Sequence, residues 1–220
     1  VLVQDGHLKP LNKWMFIKYD VNGRSVMTGL YQNTTHITRT ALQANVLDPL
    51  YATGIWYEEK GTALHGYTNT SFPTQNSSGT ALEVLGVNYY DNYDFDNNGT
   101  ADFSYQNQSL PGEGQPSSRT YGLPTGSKHI VLGGSDWLYQ YVFYDKYSRA
   151  IQMRSNNHLS LAIDNLTTYV YKFDGTITYI KADHKGSNST TVTTVTRMEY
   201  DHSGRPLKLY YTINGGTEVL

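Results

Sequence analysis

The stretch Thr196-Arg197-Met198-Glu199-Tyr200-Asp201-His202-Ser203-Gly204-Arg205-Pro206-Leu207-Lys208-Leu209-Tyr210-Tyr211-Thr212-Ile213 decides the fold class of this chain. Successive side chains of a strand point to opposite faces, so Thr196, Met198 and Tyr200 share one side while Arg197, Glu199 and Asp201 share the other. That is the pattern of a half-buried strand. After the turn His202-Ser203-Gly204, the run from Leu207 to Ile213 alternates again. It closes at Asn214-Gly215, a dipeptide suited to the left-handed positions of a tight turn. The two runs read as a β-hairpin.

Working outward, the pattern recurs. Thr168 to Phe173 and Thr176 to Lys181 flank Asp174-Gly175, the pairing expected of a two-residue type I′ hairpin turn, and Lys185 to Ser189 follows as a polar connector. Leu138, Tyr139, Tyr141, Val142, Phe143 and Tyr144 precede a turn, and Ala150-Ile151-Gln152-Met153 follow it. Lys13 to Tyr19 and Ser25 to Leu30 do the same around Val21-Asn22-Gly23. One helix is expected, capped by Thr38 and running from Arg39 to Leu47, with Leu42 and Val46 one turn apart and a stop before Asp48-Pro49. The Thr/Ser/Asn/Gly-rich stretch 67–79 and the Pro/Gly-rich stretch 110–118 read as loops and as candidate boundaries. The expectation for 1–220 is an all-β fold: an antiparallel hairpin ribbon or curved sheet with open edges and one or two short helices. Such edges invite strand-mediated association.

Composition narrows the function classes. The length of 220 residues suits one large β domain or two small ones. A net charge of -2 with 16% charged residues provides no basic field for a phosphate backbone, which argues against nucleic acid as a partner. The absence of cysteine excludes disulfides, thiolate zinc sites and a cysteine nucleophile, and suits a bacterial origin better than a small eukaryotic secreted domain. No apolar run is long enough to span a membrane, and Val1 opens neither a charged nor an apolar leader. With no initiating Met and an abrupt end, the chain reads as a segment of a longer protein. Twenty Tyr beside abundant Thr, Asn, Ser and Gly is the mixture of β-formers and turn-formers that exposed sheets use. That composition also generates Asn-x-Ser/Thr triplets at Asn33, Asn69, Asn76, Asn98, Asn107, Asn165 and Asn188, which carry no weight as glycosylation sites.

Three segments share one motif: Tyr19-Asp20-Val21-Asn22-Gly23-Arg24, Tyr144-Asp145-Lys146-Tyr147-Ser148-Arg149 and Tyr200-Asp201-His202-Ser203-Gly204-Arg205. Phe173-Asp174-Gly175 reads as a shortened copy. The physics is that of a turn. Asp accepts backbone N–H bonds at its start, Gly takes a positive φ at its end, Tyr anchors the preceding strand, and Arg can reach back to the Asp carboxylate. The Asp-to-Asp spacing is 29 residues from 145 to 174 and 27 from 174 to 201, which suits one hairpin per repeat. From Asp20 to Asp145 the repeat is lost or interrupted by inserts.

The Tyr-Asp-x-x-Gly-Arg copies resemble the YD motif of RHS-repeat proteins, the group of Rhs polymorphic toxins, insecticidal Tc-toxin shell subunits and teneurins. Asn12-Lys13-Trp14-Met15-Phe16-Ile17-Lys18-Tyr19-Asp20, Gly122-Leu123-Pro124-Thr125-Gly126-Ser127 and Asn214-Gly215-Gly216-Thr217-Glu218-Val219-Leu220 are similar to phrases of the RHS proteins of the Bacteroidota. The resemblance implies a ribbon of hairpins that winds into a hollow shell around a toxic or adhesive C-terminal payload. It implies a secreted or cell-surface location, with neighbouring RHS repeats as partners. The Asp-Pro-x-Gly signature of the self-cleaving shells is not matched by Asp48-Pro49-Leu50-Tyr51, so protease activity is not carried over.

Among candidate sites for chemistry, Asp94-Phe95-Asp96-Asn97-Asn98-Gly99-Thr100-Ala101-Asp102 matches the front of a calcium loop. Asp94, Asp96, Asn98, the carbonyl of Thr100 and Asp102 would be the ligands. Tyr105 stands where such a loop carries its bidentate Glu, and an Asx-rich hairpin turn is the other reading. The seven histidines show no metal-ligand spacing, and the 29-residue intervals between His7, His36 and His65 join unlike neighbours. Gly133-Gly134-Ser135-Asp136 reads as a loop rather than a nucleophile elbow. Glu58-Glu59, if extended, point apart and cannot act as an acid/base pair. Trp14, Trp56 and Trp137 read as core anchors or cross-strand partners, with sugar stacking as the alternative. The leading expectation is a non-catalytic wall segment with no cofactor. The alternative is a calcium-assisted carbohydrate-binding or adhesion module.

Overall fold

The structure, a computed structural model, describes residues 1–47, 54–75, 82–186 and 190–220, and of residues 163 and 164 the backbone alone. Asp48-Pro49-Leu50-Tyr51, the triplets at Asn76 and Asn188, and the end of the stretch 67–79 lie outside the described residues. The fold is all-β and antiparallel with one short α-helix, and its sheet is not closed. The elements are β1 (Leu2–Val3), β2 (Lys13–Tyr19), β3 (Ser25–Gln32), α1 (Arg39–Leu47), β4 (Lys60–Leu64), β5 (Leu82–Tyr90), β6 (Pro124–Ile130), β7 (Trp137–Tyr144), β8 (Ala150–Asn157), β9 (Ser160–Tyr171), β10 (Ile177–Lys185), β11 (Thr191–Tyr200) and β12 (Pro206–Ile213). They fall into two compact units, Val1–Tyr89 with Asp94–Asp102, and Tyr90–Tyr93 with Phe103–Leu220.

In the first unit the strands lie in the order β1-β2-β3-β5. Alternation along β2 buries Trp14, Phe16 and Lys18 and leaves Met15 exposed. From β3 and β5 come Val26, Met27, Val84 and Val87. α1 begins as its sequence dictates, with the Ala41 N–H donating to Thr38 Oγ1 at 3.2 Å. Leu42 is its one buried residue.

The second unit is a meander, β6 through β12, each strand paired with the next in the chain. Residues 103–118 run along β7–β9 and complete a core there. Phe103 stacks on Tyr141, and Tyr105 meets Phe143 edge-on at 6.0 Å. The buried Gln152 amide and the Gln106 backbone exchange hydrogen bonds of 2.9 and 2.7 Å, so that this polar core side chain is satisfied. Burial fades beyond β9. β10 and β11 are almost wholly half-buried, and β12 is mostly exposed.

Candidate functional site

The three full copies of the motif fold into one loop. In each, one Asp carboxylate oxygen accepts the N–H of the residue two ahead and that of the Arg four ahead, while the other oxygen accepts the Arg Nε. The distances lie between 2.6 and 3.0 Å for Asp20, Asp145 and Asp201 alike. The Asp N–H donates to the Arg carbonyl, and the residue at the glycine position donates back to the Asp carbonyl. That position is left-handed in all three, at φ 74° for Gly23, 61° for Ser148 and 76° for Gly204. Burial pushes the Asp145 carboxyl up, but the N–H bonds and guanidinium of Arg149 outweigh it and hold the group below the usual range. The backbone and side-chain N–H bonds of Arg205, with the Ser203 N–H, likewise hold Asp201 below its usual range.

The fourth copy is present, in a register different from the one expected. The Lys172 N–H donates to Thr176 O and the Gly175 N–H to Lys172 O, at φ 90° for Gly175. Tyr171 therefore stands in the tyrosine's place, Lys172 in the aspartate's and Thr176 in the arginine's. Phe173 is turned out, 89% exposed, and Asp174 caps the turn by accepting the Thr176 N–H at 2.8 Å. The loop is thus longer than the expected two-residue type I′ turn. Strand pairing gives the same register: one residue is bulged out after each turn, Val26, Ile151, Thr178 and Leu207, opposite the step from Lys18 to Tyr19, Phe143 to Tyr144, Val170 to Tyr171 and Glu199 to Tyr200. A fifth, split copy joins Tyr90-Asp91 to Gly122-Leu123. The Asp91 N–H donates to Leu123 O at 3.1 Å, Asp91 Oδ1 accepts the Gly122 N–H at 2.6 Å, and Gly122 has φ 83°. Residues 92–119 are inserted into its turn.

The tyrosines tie each hairpin to the one before. Tyr144 Oη donates to Pro124 O at 2.6 Å, Tyr171 Oη to Ala150 O at 2.8 Å and Tyr200 Oη to Ile177 O at 2.8 Å. Each acceptor is the residue directly after the preceding turn. In the first unit Asn88 Nδ2 plays this part, donating to Ser25 O at 3.1 Å. Burial pushes the Tyr144 and Tyr171 hydroxyls above their ordinary range. Arg149 adds a second tie, with Nη1 2.9 Å from Lys172 O and its guanidinium over the Tyr171 ring.

The acidic loop brings together three of its expected ligands. Carboxylate oxygens of Asp94, Asp96 and Asp102 lie within 4.8 Å of one another. Each also accepts a loop N–H: Asp94 from Asn98 and Gly99, Asp96 from Asn98, and Asp102 from Phe95 at 2.6 Å. Asn98 Oδ1 accepts the Thr100 N–H and hydroxyl. Tyr105 turns away and donates to Glu113. The loop is pinned by Phe95, stacked on Tyr89 at 4.4 Å, and by Lys60 Nζ, which donates to Asp94 O. Gly66 makes this approach possible, since a Cβ there would lie 1.6 Å from Phe95 O.

A buried ion pair was not anticipated from the sequence. Lys18 Nζ lies 2.7 Å from Glu58 Oε1, with both side chains 0% exposed. Lys18 also donates to Ser71 O, and Glu58 accepts from Thr68 Oγ1, the Thr70 N–H and the Ser71 N–H and hydroxyl. Burial pulls the Lys18 ammonium below its ordinary range, partly opposed by Glu58. For Glu58, burial pushes upward but the bonds from Lys18, Ser71 and Thr68 prevail, and the carboxylate is held below the usual range. The signal lay in β2, where a lysine shares the buried face with Trp14 and Phe16. Among the described residues Trp14 is buried, Trp56 exposed and Trp137 half-buried. No family model and no curated protein matches the chain.

Proposed function

We propose that this chain is a non-catalytic wall segment of a secreted or cell-surface bacterial shell of the RHS/YD-repeat type, whose partners are neighbouring hairpins of the same full-length protein. The observation that carries this reading is the iterated latch, in which a tyrosine of one hairpin reaches the carbonyl after the turn of the previous one, at Tyr144, Tyr171 and Tyr200. A unit that repeats by translation is how an extended wall is built. The exposed strand β12 supports the same reading. It presents Leu207, Leu209, Tyr211 and Ile213 to solvent, and on the edge away from β11 only Tyr211 is bridged among the described residues, by Val219. An apolar strand paired with β11 on one side and largely unpaired along its outer edge calls for a neighbour. In size-exclusion chromatography with light scattering, the isolated chain is expected to self-associate as concentration rises, and Leu209→Lys to suppress it. A clean monomer at millimolar concentration argues against the wall.

A second reading, a calcium-assisted carbohydrate-binding module, is favoured by the three converging carboxylates of Asp94, Asp96 and Asp102. Glycan-array screening with calcium and with chelator separates the two. A wall segment binds nothing in either buffer, whereas saturable binding lost on chelation establishes the second.

A further inference from the structure

The first unit holds an open cavity of about 400 Å³ bounded by β1, β2, α1 and side chains from Trp56 to Phe72. Its size falls in the range of roughly 300–1,000 Å³ typical of small-molecule sites. Trp14, Trp56 and Phe72 give it aromatic walls, and Leu42 and Val46 close it with the apolar face of α1. Two features are unexplained by folding alone. Arg39, also in the lining, opens a helix that has no acidic residue in its first turn, so a cation sits beside the positive end of the helix dipole. Its guanidinium has no carboxylate partner among the described residues. Trp14 is 5% exposed, yet its indole N–H has no hydrogen-bond partner, whereas buried donors are nearly always paired. The nearby Glu58 carboxylate is taken up by Lys18, Thr68, Thr70 and Ser71 and cannot serve Arg39.

We infer that this cavity binds a small amphiphilic carboxylate, its alkyl or aryl body between the aromatic walls and its anionic head on the Arg39 guanidinium. An apolar lining in which Arg39 is the one side-chain cation without a carboxylate partner among the described residues, Lys18 being paired with Glu58 and the Val1 ammonium bonded to Ile17 O, selects for such a molecule over a sugar, which needs several convergent polar groups. The site does not depend on whether the chain is a wall segment.

The test titrates decanoate and 4-phenylbutyrate, each beside its neutral primary amide, into the whole chain by isothermal calorimetry, with tryptophan fluorescence as a second readout. The expected result is saturable one-to-one binding of the acids and about tenfold weaker binding of the amides, the value of one charge-assisted contact. Arg39→Ala is expected to erase the acid-over-amide preference while leaving amide affinity in place, and Arg39→Lys to keep part of it. Arg39 is exposed, so both variants are expected to retain the parent circular dichroism. Trp14→Phe is expected to weaken the acids several-fold in calorimetry. The proposal is overturned if no probe binds saturably, if acids and amides bind equally, or if the preference survives in Arg39→Ala.

Discussion

Glu58→Gln keeps the shape of a buried side chain while removing its charge, and its cost can be worked from the surroundings. Oε1 accepts from Lys18 and from the Ser71 N–H and hydroxyl, and Oε2 from Thr68 and Thr70. Whichever way the new amide turns, its NH₂ faces donors. Lys18 is left as an unpaired cation in a fully enclosed site, and breaking a buried pair this way costs about 3–5 kcal/mol. The lysine can escape by losing its proton. From its ordinary value of 10.5, neutralising it at pH 7 costs at most about 5 kcal/mol. This ceiling agrees with the first figure and is a large share of a typical total stability of about 5–15 kcal/mol. A lysine whose folded pKa is depressed destabilises the fold below its unfolded pKa. The deficit should therefore shrink by about 1.4 kcal/mol per pH unit as pH rises above 7, until the pH reaches the lowered value at which Lys18 of the parent protein itself loses its proton. Urea unfolding at a series of pH values measures this. Adding Lys18→Met to the variant removes the stranded cation and should recover about 2 kcal/mol or more. A loss below about 1 kcal/mol at pH 7 would refute the reasoning.

Other expectations are smaller. Ser148 holds a left-handed φ of 61° where its counterparts are glycine, so Ser148→Gly should stabilise by about 1 kcal/mol in chemical denaturation; a loss would mean the serine makes a contact worth more than the strain. Tyr171→Phe removes the hydroxyl bond to Ala150 O and should cost about 1 kcal/mol without changing the circular dichroism spectrum, and no change would argue against the latch. The carboxyls of Glu58, Asp145 and Asp201 are all held below their ordinary values of 4.5, 3.8 and 3.8. Groups depressed in the folded state contribute stability above their unfolded values, and that contribution is lost as pH falls through the folded ones. The Tm is therefore expected to hold from neutrality to about pH 5 and to fall below it, and a Tm that stays level to pH 3 would contradict this.

The hairpins were legible because alternation and turn chemistry are local: β2 spans Lys13–Tyr19 and α1 spans Arg39–Leu47, as their patterns require. The fourth copy lies two residues before the position the sequence suggests, because Tyr171 and Phe173 are both aromatic and two apart, the sequence spacing of one strand face, although Phe173 belongs to the turn. Only the hydrogen bonds that close the turn on Gly175 distinguish them. The split copy was hidden by its insert. Tyr90-Asp91 carries the dipeptide, but Gly122-Leu123 completes the turn from across residues 92–119, beyond any fixed spacing. The Lys18–Glu58 pair joins residues 40 apart, and no local pattern encodes its partner, though an unpaired lysine on an apolar strand face demands one. At the acidic loop the sequence identified the carboxylates that converge, whereas the departure of Tyr105 toward Glu113 follows from the packing of residues 103–118 on the sheet.

Cryo-electron microscopy of the full-length protein carrying this segment tests the wall most directly. The expected result is a hollow β-shell in which a further hairpin covers β12 and lays a tyrosine hydroxyl on the carbonyl of Pro206, the residue that follows the last Tyr-Asp turn as Ala150 and Ile177 follow theirs. A map showing β12 bare to solvent, with no enclosing wall around it, would contradict it.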